Sequence, residues 1–292
     1  MTQPQRRGVL RTALFVLLSI STFTPGIAGA REPIRIGTTA VFLDDQVTFL
    51  NTWRDYLEQH ANRRVVFVRR GSYAEIHELL RRGEIDFVWT CGYPYVRLRQ
   101  QLRLLAVPVY RGKPLYQSYL IVPRTDTTTR SFRDLKGKVF AYSDPNSNSG
   151  WLVPQSQMRR QGLDPDKLFR KSFFTWAHRK VVEAVGAGLA DGGQVDGYVW
   201  ETLARQYPDV TARTRIVWKS DEYGFPPLVA RRSVSESDFQ HLQDVLLRMN
   251  RDPVGRKLLA QLNLDGFTAG SDALFASIEA NMNFVANFVA AR

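Results

Sequence analysis

The chain has almost no cysteine: one, Cys91, in 292 residues. No internal disulfide can form, so stability must come from a packed core. Paired cysteines and clustered histidines are also missing, which removes the usual metal-site patterns. No G-x-S-x-G elbow, H-E-x-x-H helix or G-K-[ST] phosphate loop occurs, and "LKGKVF" has a Gly-Lys pair without the upstream glycine or following hydroxyl. The enzyme classes built on those motifs are excluded, and neither a metal nor a cofactor is implied. The only enzymatic pairing left to weigh is a Cys91 nucleophile with His178 as base, and nothing in the sequence compels it. Internal repeats and low-complexity linkers are absent. Past residue 30 no apolar run is long enough to cross a bilayer.

The first thirty residues read as a signal peptide. Arg6, Arg7 and Arg11 precede the apolar run Ala13 to Ile20, and Ala28 to Ala30 offer small residues for cleavage. Arg6-Arg7 followed by Gly8-Val9-Leu10 resembles a twin-arginine signal, so both the Sec and Tat routes stand open. The remaining 262 residues are expected to be soluble in the periplasm, reaching the membrane only through a partner unless an uncleaved signal anchors them. The signal removes three arginines and no acids, so the net charge falls from +12 to +9. That balance suits an anionic partner. Arg63, Arg64, Arg69 and Arg70 flank "VVFV" rather than forming a basic tail, and with export this argues against nucleic acid.

Short apolar runs alternate with amphipathic helices, the pattern of an α/β fold with mostly parallel sheets. "IRIG" (34–37), "VVFV" (65–68) and "IDFVWT" (85–90) read as strands. Between them, Val47, Leu50, Trp53 and Leu57 mark one helix face, and Ser72 with Glu75 predicts a capping box on a helix ending near Gly83. The third strand delivers Cys91 into a loop, "CGYPYV", on the same sheet edge as the loop Thr38 to Asp45. Ligands gather outside the carboxyl ends of such strands. A second α/β set follows from "YQSYLIVPR" (116–124), with strands at "KVFAYSD", "SFFTW", "QVDGYVW" and "RIVWKS". "PLVARR" and two helices, around Phe239 and Leu274, then return to the first set. Two lobes are expected, joined by crossings near Tyr116 to Val122 and Ser220 to Pro226. They divide the chain into 31–118 and 223–292 for the first lobe and 119–222 for the second.

In "DPNSNSGWLVPQSQM", Ser147, Asn148 and Ser149 stand just before a helix, and Gly150 leaves its amide open to close approach. Such a helix start either seats a tetrahedral anion or is a plain Ser/Asn cap. His178 opens a later helix and either donates to an anion or lies at an ordinary surface. Asp191 and Asp196, in "GLADGGQVDGYVW", read as turn aspartates or as groups orienting a site. His60, His77 and His241 read as solvated.

The series "DFVWTCGYPYV", "YQSYLIVPRTD", "SFRDLKGKVFAYSDPNSNSGWLVP" and "AHRKVVEAVGAGLADGGQVDGYVW" resembles the periplasmic phosphate/phosphite/phosphonate-binding proteins of ABC importers, over nearly the whole mature chain. The resemblance implies a type II periplasmic binding protein: two α/β lobes with two hinge crossings, closing over a small oxyanion as a monomer. It implies no enzyme. The family's Ser-Thr-Ser-Gly loop corresponds to Ser147, Asn148, Ser149 and Gly150, its helix-leading histidine to His178, its cleft aromatics to Tyr93 and Tyr95, and its acidic residue to Asp191 or Asp196. Asn148 replaces the family's threonine, and Arg179 replaces the aspartate beside the histidine. A neighbouring branch, arsenite-binding proteins that report to a membrane sensor kinase, uses a cleft cysteine, so Cys91 is either a thiophilic ligand or a small buried residue at a strand end. The implied partner is accordingly an ABC permease or, in the alternative, a sensor kinase.

Overall fold

A computed structural model describes residues 1–2, 32–39 and 47–290. Contacts divide the chain into two units, Met1–Arg31 and Glu32–Arg292, and the second carries the sheets and helices. The expected signal segment beyond residue 2, and the loop Thr38 to Asp45 from residue 40 on, lie outside the described residues.

The chain starts with β1 (Ile34–Thr38), α1 (Val47–Ala61), β2 (Val65–Arg69), α2 (Tyr73–Arg82), β3 (Phe87–Trp89), α3 (Gly92–Leu98) and β4 (Leu102–Val109). Next come β5 (Leu115–Tyr116), β6 (Ser118–Pro123), β7 (Val139–Tyr142), α4 (Val153–Arg160), α5 (Pro165–Leu168), β8 (Lys171–Phe174), α6 (His178–Gly186) and β9 (Gly192–Asp196). The rest is α7 (Gly197–Gln206), α8 (Pro208–Thr211), β10 (Thr214–Lys219), β11 (Tyr223–Gly224), β12 (Leu228–Arg231), α9 (Glu236–Arg248), α10 (Pro253–Gln261), β13 (Gly266–Thr268) and α11 (Ala276–Ala290).

These elements build two lobes. One sheet runs β13-β4-β12-β3-β1-β2 and the other β10-β6-β9-β7-β8. Each has one parallel end, β3-β1-β2 in the first sheet and β9-β7-β8 in the second. Antiparallel pairing makes the other end of each, β13-β4-β12 and β10-β6, so the sheets are mixed rather than mostly parallel. β12, returning after the second sheet is built, enters between β3 and β4 antiparallel to both. The two segments that cross between the sheets pair with each other, β5 antiparallel to β11 with Tyr116 opposite Tyr223.

Local chemistry sets the elements. Ser72 Oγ accepts from Glu75 N and Glu75 Oε2 from Ser72 N, closing the box that starts α2. Gly83 ends that helix at φ 75°, a left-handed conformation that glycine adopts without penalty. The side chains Trp53, Phe87 and Trp89 are buried in the first sheet's core, and Phe132, Phe140 and Met158 in a second cluster under β6 and β7. Two sequence expectations need correcting. "CGYPYV" is not a loop but the start of α3, with Cys91 at its N-cap. "QVDGYVW" is not one strand: β9 stops at Asp196, whose carboxylate accepts from Val199 N and starts α7.

Candidate functional site

The carboxyl ends of β3, β7 and β9 converge where the lobes meet. β7 leads into a turn, Ser147 to Leu152, that winds as a π-helix over Asn148–Leu152 and runs on into α4. Ser147 caps it, accepting from Gly150 N at 2.9 Å, and Leu152 N donates to Ser147 O at 3.0 Å. The Gly150 amide is therefore spent on the cap rather than left open. Glycine is required there for another reason: a Cβ would stand 1.8 Å from Ser143 Oγ.

His178 is fully buried at the start of α6, contrary to a surface reading. Its Nδ1 accepts from Asp196 N at 3.1 Å, so in the neutral ring Nε2 carries the proton and faces Ser147 Oγ at 3.3 Å. Burial holds its pKa down at about 3, which keeps it neutral. Ser147 Oγ thus accepts twice, from Gly150 N and from His178 Nε2. Only its own O–H remains to be given away.

Asp196 is also fully buried, and desolvation pushes its pKa up to about 7. One of its oxygens holds Val199 N at 3.2 Å while the other has no partner among the described residues. Asp191 is elsewhere. It exchanges hydrogen bonds with Val139 at the opposite end of β9, roughly 16 Å along the strand. Of the two candidate acids, the structure brings only Asp196 to the turn.

From the first lobe, Cys91 is fully buried and its Sγ accepts from Asn148 N at 3.1 Å, across the meeting of the lobes. Burial pushes the thiol up to about 11. Tyr93 stacks on Trp151 of the opposing turn, ring centroids 6.5 Å apart. Tyr95 does not reach the turn: its hydroxyl donates to Asp272 and its ring packs edge-on against Phe275. On a helix, positions two apart do not share a face. An extended segment would have put both tyrosines on one face.

Several residues of the cluster were not singled out from the sequence. Tyr116 Oη accepts from Asn148 Nδ2 at 3.0 Å, and Ser118 Oγ donates to Ser149 O at 2.7 Å. Tyr73 N, at the first turn of α2, donates to Asp144 Oδ2 at 3.1 Å across the lobes. The capping box at Ser72 was the available signal, since it fixes a helix N-terminus at that sheet edge. His77 is another correction. It is half-buried, bonded to Thr90 Oγ1 at 2.8 Å and pushed down to about 4 by burial.

Buried polar atoms without hydrogen-bond partners gather here. Among the described residues, Ser143 Oγ, Asn148 Oδ1, Gln194 Oε1 and the second Asp196 oxygen have none. Tyr73 Oη lies beside Thr39 and Ser149 Oγ beside Tyr116, short of good geometry in each case. Such atoms are costly to bury, about 1–3 kcal/mol each. A groove of about 540 Å³ between α1 and the edge strand β2, lined by Arg54 and Arg64 among others, shares no residue with this cluster. Converging buried donors and acceptors, rather than volume, mark this cluster as the candidate site.

A family profile described as "ABC transporter, phosphonate, periplasmic substrate-binding protein" matches residues 36–275. The chain belongs to that family. Among the family's curated relatives, the phosphonates-binding periplasmic protein of Escherichia coli is 23% identical over 266 residues, covering 88% of this chain and 78% of that protein. A probable ABC transporter phosphite binding protein of Prochlorococcus marinus is 24% identical over 212 residues, covering 68% and 71%. Among solved structures, a binding protein component of an ABC phosphonate transporter from Pseudomonas aeruginosa superposes with a TM-score of 0.80 at 24% identity, covering 87% of this chain and 86% of that one. The Prochlorococcus protein in complex with methylphosphonate gives 0.77 at 20% identity, covering 85% and 96%. These structures establish the two-lobed periplasmic-binding-protein fold.

Proposed function

We propose that this protein is a periplasmic receptor that clasps a small tetrahedral oxyanion, a phosphonate, phosphite or phosphate, and hands it to the membrane permease of an ABC importer. It binds without turnover. The observation that carries this reading is the state of Ser147: with both lone pairs engaged by Gly150 N and His178 Nε2, its hydroxyl is fixed as a donor. Ser149, Ser143 and Tyr73 add hydroxyls within the same cluster, and the turn's amide end favours negative charge. Asn148 contributes through its side chain, and His178 orients Ser147. Asp196, with a pKa near 7, is partly protonated at neutral pH and donates to the anion in that form.

In this reading the lobes, 31–118 with 223–292 and 119–222, close about the paired crossings β5 and β11, and Tyr93 meets Trp151 only on closure. A ligand that touches both walls favours the closed form, which the permease then recognises. The protein acts as an exported monomer, by either secretion route. The curated relatives are named for phosphonate, phosphite and, in Mycolicibacterium smegmatis, phosphate import. The arsenite-sensing alternative gains nothing from the geometry, because one buried thiol raised to about 11 is a reluctant ligand for arsenic and its sulfur is already engaged.

Titration of tryptophan fluorescence tests the reading, with Trp151 as reporter. Phosphite, phosphate or methylphosphonate should change the emission saturably and arsenite should not. Silence with all three phosphorus anions would remove the proposal's support.

A further inference from the structure

The wall opposite the turn contains a group that does not match its surroundings. Ser143, Ser147, Ser149 and Tyr73 all present hydroxyls, whereas Cys91 presents sulfur, fully buried and 3.1 Å from the Asn148 amide. We propose that Cys91 is a specificity-determining residue of this site: its thiol faces the one substituent of the bound anion that is not an ionised oxygen, so the protein favours phosphite and methylphosphonate over phosphate. The inference rests on the oxyanion reading above and deepens it.

Three observations carry it. The thiol lies against the anion turn itself, covering the amide that a further ligand oxygen would seek. It is neutral, and a thiol is a weak donor and a weak acceptor. Asn148 Oδ1 and the free oxygen of Asp196, both in fully buried residues, have no partner among the described residues; an amide oxygen accepts, so the group that meets it carries a donor, which the P–OH of a singly protonated phosphorus anion supplies. A P–O⁻ pressed against sulfur loses hydrogen bonds that it has in water, and an unpaired ionised group in a buried site is penalised heavily. A P–H or P–CH₃ group has no such bonds to lose. A serine in place of Cys91 would restore a strong hydroxyl donor at nearly the same position.

Isothermal titration of the wild type, Cys91→Ser and Cys91→Ala with phosphate, phosphite and methylphosphonate tests this. The wild type should bind phosphite and methylphosphonate at least about tenfold more tightly than phosphate. Cys91→Ser should narrow that ratio about tenfold, chiefly by strengthening phosphate. Cys91→Ala, which uncovers the Asn148 amide, should shift the ratio the same way by a smaller factor, and it stands in if the serine variant fails to fold. A ratio that moves less than twofold in the variants, or a wild type that prefers phosphate, overturns the role of Cys91 while leaving the oxyanion reading intact. A wild type that binds none of the three overturns both.

Discussion

The two walls of the cluster are made in different ways. The second-lobe wall is a chain of hydrogen bonds of 2.9 to 3.3 Å within one sheet edge, Gly150 N to Ser147 Oγ, His178 Nε2 to Ser147 Oγ and Asp196 N to His178 Nδ1, and each residue fixes the next. Among the described residues, the first-lobe wall has no comparable chain. Cys91, Tyr93 and Tyr73 come from two helix starts, and their partners lie across the meeting of the lobes: Asn148, Trp151 and Asp144. One wall is preorganised to grip, and the other is positioned by closure. Damage to the first should therefore cost affinity directly, while damage to the second should alter closure and selectivity.

The sharpest break in that contrast is Gly150→Ala. The added Cβ would stand 1.8 Å from Ser143 Oγ and 3.1 Å from Ser147 Oγ, so the turn must move. We expect anion affinity to fall by about two orders of magnitude or more in a fluorescence titration, with the fold intact by circular dichroism. Ser147→Ala removes both the cap and the fixed donor. Affinity should fall roughly 10- to 100-fold, and the melting temperature by roughly 2–4 °C, as expected for losing about 1 kcal/mol of cap.

Asp196→Asn addresses the electrostatics of the same wall. A carboxyl whose folded pKa is raised to about 7 contributes stability that is present below its unfolded value near 4 and lost as pH rises through 7. His178, held down at about 3, acts in the opposite sense: its contribution is present above about 6.5 and lost as pH falls. Subtracting the variant from the wild type isolates Asp196. The variant should gain in melting temperature relative to the wild type as pH rises from 4 to 7, and a flat difference would contradict the burial of the charge. The smallest effect is expected at Tyr95→Phe, which loses the bond to Asp272 and nothing at the turn. Anion affinity should stay within about twofold, whereas Tyr93→Ala should weaken it several-fold through loss of the Trp151 stack.

The same contrast explains what the sequence made legible. In the second-lobe wall, spacing offered Ser147 as a cap and His178 as a helix start, and the family resemblance ran through both. That His178 is buried against Ser147, and that β9 ends at Asp196, joins residues 31 and 18 positions apart, which spacing did not give. The sheet edge was legible as well, since "IRIG", "VVFV" and the capped helix between Ser72 and Gly83 correspond to β1, β2 and α2. The first-lobe wall depended on a fact that spacing did not give, that "CGYPYV" turns as a helix. That turn sends Tyr93 towards Trp151 and Tyr95 towards Asp272. Tyr116, read only as part of a crossing, meets Asn148 because β5 and β11 pair, a contact between segments more than a hundred residues apart. The choice between Asp191 and Asp196 likewise waited on which end of β9 faces the cluster.

The most direct test of the central claim, that a tetrahedral anion is gripped by the Ser147 wall, is a crystal structure of the protein with the tightest-binding phosphorus oxyanion. The account expects anion oxygens within about 2.5–3.0 Å of Ser147 Oγ and Ser149 Oγ, with both lobes in contact with the ligand. An anion bound elsewhere, with Ser147 Oγ donating to protein instead, would contradict it.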